Sequence, residues 1–140
     1  MATDTADIRS IVDGLNQRYA VHVDRRDWEA WLTCFAPDAR LVLRGEEVSG
    51  HAAIQGRIEA ETDSFARMRH LILPAHVADV DDGVARTVAY FLLQGRTVGG
   101  TDFSAAGVYD DRVHLGDERF LERRITFDYF APDGAPRRWE

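Results

Sequence analysis

An α+β domain is the fold class the sequence predicts, with helices first and a strongly curved, mostly antiparallel sheet wrapped around them afterwards. Residues 4–23 place Ile8, Ile11, Val12, Leu15, Tyr19 and Val23 along one helical stripe. The stretches 71–80, 84–97, 103–113 and 119–130 are rich in β-branched and aromatic residues. Asp81-Asp82-Gly83, Gly99-Gly100 and Leu115-Gly116-Asp117 separate them, each short enough for a hairpin. Helices followed by consecutive hairpin-linked strands are the order of an α+β fold.

Taken in chain order, Asp4 or Thr5 can cap the first helix. Asp27 is the expected N-cap of a second, shorter helix, with Glu29 in its first turn. Trp28, Trp31, Leu32 and Phe35 would form its buried face, and Pro37 would stop it. Ala39–Leu43 reads as a short strand, and Ser49 or Gly50 opens a third helix through Ile54 and Ile58 to about Glu61. The four long strands complete the sheet. No repeat, linker or low-complexity tract divides the chain, so residues 1–140 read as a single domain, with 132–140 a loose tail.

Composition narrows the function. At 140 residues and 45% apolar content, the chain can bury about two-thirds of its unfolded surface. The net charge of −7 and the lack of a basic stripe argue against a nucleic-acid partner. All 17 basic residues are Arg, which excludes Schiff-base or lysine general-base chemistry. The single Cys34, set among Trp and Phe, reads as a buried inert thiol rather than a nucleophile. The acidic, polar N-terminus is unlike a signal peptide, and no apolar run approaches the ~20 residues that span a bilayer. A soluble cytoplasmic protein without a membrane partner is expected.

Polar groups that could carry chemistry are few. Asp24 closes the first helix, where the negative dipole end disfavours a carboxylate unless a partner compensates. His70 begins the apolar run Leu71-Ile72-Leu73; an imidazole there can be held at Nδ1 by a carboxylate, leaving Nε2 as a base. A loop cap and a satisfied core histidine are the plainer alternatives. His22, His51, His76 and His114 show no metal-ligand spacing, and His76, six residues from His70, would stand roughly 20 Å away on one strand. No metal is expected. Gly99-Gly100 joins two strands and opens no helix, so no nucleotide cofactor is expected either.

Several segments carry a family resemblance. Arg18-Tyr19-Ala20-Val21-His22-Val23-Asp24-Arg25-Arg26-Asp27-Trp28 and Cys34-Phe35-Ala36-Pro37-Asp38-Ala39 resemble the opening of SnoaL-like proteins in the nuclear transport factor 2-like superfamily. Val48-Ser49-Gly50-His51-Ala52-Ala53-Ile54, Arg69-His70-Leu71, Gly107-Val108-Tyr109-Asp110-Asp111 and Glu122-Arg123-Arg124-Ile125-Thr126-Phe127-Asp128 continue the likeness in order. The resemblance implies a cone-shaped barrel with an internal pocket, close to the scytalone dehydratase, bile-acid dehydratase and hexachlorocyclohexane dehydrochlorinase branches. It also implies that Asp24 and His70 form a catalytic dyad. The implied activity is that of a lyase of dehydratase type, an isomerase or a polyketide cyclase acting on a small, largely apolar carbonyl-bearing or polycyclic substrate without cofactor. A homo-oligomer, dimer or trimer, joined through the outer sheet face is implied too.

The chain departs from scytalone dehydratase at several points. Val23 stands where that family has a Tyr, its second pocket His has no counterpart in residues 90–97, and its Ser and Asn correspond to Ser104 and Ala106. The same substrate is not expected. Tyr19, one turn before Val23, is either an acid or oxyanion donor or a core aromatic. Alternation puts Ser104, Ala106 and Val108 on one strand face and Tyr109 on the other. Ser104 is taken as the inward donor and Tyr109 as structural. Arg124 is expected to pair with Asp110 or Asp128 at a rim. Val23, Trp28, Trp31, Phe35, Phe91, Phe103, Ala106 and Phe127 are the expected pocket walls. The competing readings are a non-catalytic small subunit of a ring-hydroxylating dioxygenase and a bare ligand-binding domain.

Overall fold

A computed structural model describes residues 4–132 and 138–139. The first helix, α1, runs Thr5–Asp24, and the Asp4 side chain accepts from the Asp7 N–H at its start. Its buried stripe is Ile8, Val12, Leu15, Asn16, Tyr19, Ala20 and Val23, apolar but for one carboxamide. Full burial of a side chain such as Leu15 contributes about 1.5–3 kcal/mol. The second helix, α2 (Trp28–Leu32), starts on Asp27, whose carboxylate accepts from Ala30 N–H.

The remaining elements are β1 (Phe35–Leu43), β2 (Glu46–Ser49), α3 (His51–Thr62), β3 (Phe65–Ile72), β4 (His76–Asp81), β5 (Val84–Thr97), β6 (Asp102–His114) and β7 (Arg119–Pro132). The strands form one sheet in the order β2-β1-β7-β6-β5-β3, with β4 also pairing with β5. All pairings are antiparallel except β1 with β7. The sheet curls so that α1 lies against β3 and β4, the arrangement expected from the sequence.

Three local differences from the expected elements have physical causes. The second helix stops at Leu32 because the chain is recruited early into the sheet: Phe120 N–H donates to Cys34 O at 2.7 Å. Pro37 therefore lies within β1, where a register shift between Phe35 and Arg40 accommodates its missing N–H. The expected strand 71–80 is two strands broken at Leu73-Pro74-Ala75, both paired along β5, so His70 and His76 do not share one strand. Glu46–Ser49, four residues too polar to signal a strand, pairs as β2 on the exposed edge. The loose tail expected from 132 falls mostly outside the described residues; Pro132 ends β7, and the Trp139 ring sits 5.6 Å from Tyr129.

Mid-strand glycines show which sheet face is concave. A Cβ on Gly107 would lie 2.6 Å from Phe91 Cζ, and one on Gly95 2.4 Å from Phe103 Cζ. Both rings pack so close to the neighbouring strand's backbone that a side chain there would collide with them.

Candidate active site

Asp24 is the last residue of α1, and its carboxylate leaves the helix end for β3. Oδ2 accepts from the His70 backbone N–H at 3.0 Å, and Oδ1 meets His70 Nδ1 at 2.6 Å. Two contacts from one carboxylate fix both the strand and the imidazole ring. They also supply the compensation that an acid at a helix C-terminus needs. Both side chains are 9% exposed. With Nδ1 engaged as the N–H donor, Nε2 is the nitrogen that remains for a ligand.

His70 lies on the wall of an apolar cavity lined also by Tyr19, Val23, Phe91, Tyr109 and Phe127. Ile58, Glu61, Thr62, Phe65 and Phe130 line it as well. The cavity volume is about 30 Å³, room for one or two waters. A ring-sized ligand must therefore part the walls. Arg44 lies 4.7 Å over the Phe127 ring and donates to Glu61, the one carboxylate among the described lining residues, at 2.8 Å.

Of the residues expected from sequence, Asp24 and His70 are in contact, and Tyr19, Val23, Phe91 and Phe127 line the cavity. The others do not. Trp31 and Phe35 are wholly buried behind Tyr19, with ring centroids 5.6 and 6.1 Å from its own. Trp28 packs edge-on against Trp31. Phe103 stacks behind Phe65 and Phe130 at 4.3 and 5.2 Å. Ser104 and Ala106 face the outer side of the sheet, in register with Gln94 and Leu92. The alternation along β6 was read with the right parity and the wrong face inward. Tyr109, assigned a structural place, lines the cavity, and Gly107 two residues earlier was the available signal.

A second polar cluster was missed. Arg123, wholly buried, donates to both oxygens of Asp111 at 2.9 and 2.8 Å and to Asn16 Oδ1. Its guanidinium carbon lies 3.8 Å from the Tyr109 ring centroid, 4.0 Å from Phe120 and 4.4 Å from Tyr19. Burial works against its charge, but the Asp111 carboxylate outweighs that and holds its pKa above the usual Arg value. Arg124, the neighbour singled out from sequence, faces outward and approaches Glu122 at 4.0 Å, not Asp110 or Asp128. Burial pushes the Tyr19 phenol up, with Arg123 and Tyr109 pulling it back, and pushes Tyr109 well up. It also raises the Cys34 thiol. Among the described residues no group of His, Cys, Asp and Glu side chains is arranged to hold a metal ion, and no helix is long and apolar enough to cross a membrane.

Solved structures with this fold include a candidate aromatic ring hydroxylase from Novosphingobium aromaticivorans, 21% identical, with a TM-score of 0.82 over 93% of this chain and 96% of that one. Hexachlorocyclohexane dehydrochlorinase LinA-type3 from Novosphingobium barchaimii is 17% identical, with a TM-score of 0.81 over 91% of each chain. A candidate scytalone dehydratase from Novosphingobium aromaticivorans is 17% identical, with a TM-score of 0.78 over 92% of this chain and 89% of that one. At these identities the likeness is one of fold. No curated protein matches the sequence. The profile of the SnoaL-like domain matches residues 3–126, nearly the whole described chain, and the protein belongs to that family within the nuclear transport factor 2-like superfamily.

Proposed function

We propose that the protein is a cofactor-free acid–base enzyme that removes a carbon-bound proton from a small, largely apolar substrate, opening an elimination, isomerisation or cyclisation. The 2.6 Å contact between Asp24 and His70 at the wall of an apolar cavity carries this reading. His70 Nε2 takes the proton; Asp24 holds Nδ1–H, fixes the tautomer and stabilises the imidazolium. The apolar surroundings keep water from competing for the base. Tyr19, on the same cavity wall, is the candidate acid or oxyanion donor.

The test is proton–deuterium exchange beside the carbonyl of cyclohexanone and 1-tetralone, followed by NMR. Exchange above the buffer rate is expected for the wild-type chain, with a loss of about 10²–10⁴-fold in His70→Ala and Asp24→Asn. Equal exchange in wild type and both variants removes the dyad.

A second reading, an assembly subunit without turnover, draws on the outer sheet face. Leu71 on β3, Tyr90 and Leu92 on β5, and Leu73 just past the end of β3 are exposed there. Under the enzyme reading the same strip seats further copies of the chain, in a dimer or trimer. Light scattering on the isolated protein separates the two: a stable homo-oligomer favours the enzyme, and a monomer favours a missing partner.

A further inference from the structure

Arg44 stands at the tip of the β1–β2 hairpin, where Leu43 and Glu46 pair across the two-residue turn Arg44-Gly45. Both turn residues have positive φ, 53° and 78°. Glycine takes that conformation freely and Asn or Asp tolerates it, so an Arg is held there against its own preference. Its guanidinium carbon lies 4.7 Å from the Phe127 ring centroid and 6.0 Å from that of Phe130, both cavity walls. It pairs with Glu61, a cavity residue on α3, at 2.8 Å. Glu61 has a second cation on its other oxygen, Arg57 at 3.2 Å, and can release Arg44 while staying paired. Arg44 also borders a groove of about 160 Å³ that shares Ile125 and Phe127 with the cavity. Arg124 is the second cation of that groove, and no carboxylate is among its described lining residues. Glu122, which Arg124 approaches at 4.0 Å, lies nearer to Arg40, at 3.5 Å. Two guanidiniums on one acid-free groove, in a chain of net charge −7, repel each other unless an anion joins them.

We propose that Arg44 and Arg124 bind a carboxylate of the substrate, so that the site selects apolar carboxylic acids over neutral molecules of the same shape. The inference rests on the cavity beside His70 being the active site, because the apolar body of the acid lies past Phe127 within it. Guanidinium forks match the two oxygens of a carboxylate, and Arg44 keeps its stacking on Phe127 while its N–H groups turn to the ligand. The substrate carboxylate exchanges with Glu61 at Arg44, and Glu61 stays with Arg57. That exchange undoes the ion pair between the β1–β2 hairpin and α3, elements that carry the cavity walls Leu43 and Ile58. Recognition of the charge and admission of the ring are then one event. A neutral molecule has to part the same walls with the Arg44–Glu61 pair still closed.

Calorimetric titration with 2-naphthylacetate and its neutral amide compares charge at equal size and needs no turnover. The wild-type chain should bind the acid at least about tenfold more tightly, with the advantage shrinking as salt is raised. Arg44 is 43% exposed at a turn, so Arg44→Gln should fold. That variant should lose the preference without weakening the amide, and Arg124→Gln should reduce it. Glu61→Gln removes the competing carboxylate and should strengthen the acid more than the amide. An ion pair that served only to latch α3 would instead make Arg44→Gln and Glu61→Gln bind acid and amide better by the same factor. That result, the lack of any acid preference in wild type, or tighter binding of 2-naphthyl phosphate than of the acid would each overturn the proposal. Proton–deuterium exchange in 4-oxocyclohexanecarboxylate keeps the two readings apart. An intact acid preference without exchange removes His70 as the base and leaves this site standing. Exchange no faster in the keto acid than in cyclohexanone removes this site and leaves the base.

Discussion

Two acid–base pairs flank Tyr19, and they differ in kind. Asp24 and His70 join a helix end to a strand, each 9% exposed, with one ring nitrogen left for a ligand. Asp111 and Arg123 join two strands, each with no exposed side-chain surface, and the guanidinium is enclosed by carboxylate, carboxamide and three aromatic rings. Imidazole changes charge near neutral pH, while guanidinium keeps its charge throughout. A pair that must exchange protons needs an open side; a pair that must supply a constant field does better without one. Under the proposed function, the open pair would carry the proton exchange, while the closed pair holds the core.

The comparison is broken most directly through stability. Arg123→Met leaves Asp111 buried and unpaired, and should cost about 3–5 kcal/mol in chemical denaturation. Replacing both partners, Arg123→Met with Asp111→Leu, should recover most of that loss, because no lone charge remains. Asp24→Asn, at the half-open pair, should cost no more than about 1–2 kcal/mol while removing activity. Similar stability losses at the two sites would end the division.

Alkaline titration sharpens the contrast. The folded-state pKa values of Tyr19 and Tyr109 are both raised, first by burial. Groups with raised folded pKa values contribute their stability fully below the unfolded value of about 10, and that contribution fades as pH climbs through the folded values. Two of the four tyrosines should therefore ionise only together with alkaline unfolding when absorbance near 295 nm is followed. The smallest expected effect is at Cys34, buried and with its thiol pushed up by burial, with Arg18 and Arg123 opposing. It should react with a disulfide reagent only after denaturant is added. Rapid modification of the native protein would mean the Arg123 side of the core opens readily.

The sequence made the helices and the hairpin order legible because each has a local signature: a stripe, a cap or turn residues. The Asp24–His70 pair was legible only through the family resemblance; an acid at a helix end left a plain loop cap equally open. What escaped depended on non-local geometry. β6 carries small residues on both faces, so alternation alone could not say whether Ser104 or Tyr109 points inward; the curl of the sheet decides that. Arg123 and Arg124 are adjacent and chemically alike, and the register shift of β6 against β7 near Val113 sets which of them enters the core. The aromatic residues around Trp31 were rightly expected to be buried, but burial behind Tyr19 and burial against the cavity look the same in a string of letters.

One further consequence follows from the corner between the first two helices. Arg26, two residues after Asp24 and held at a φ of 54°, donates to the Thr62 and Phe65 carbonyls, on either side of the joint between α3 and β3. Thr62 and Phe65 also line the cavity. A guest that displaced Thr62 and Phe65 would pull, through Arg26, on the short bend that follows Asp24. Under the proposed function, the width of a guest and the aim of the Asp24 carboxylate would be mechanically linked through Arg26.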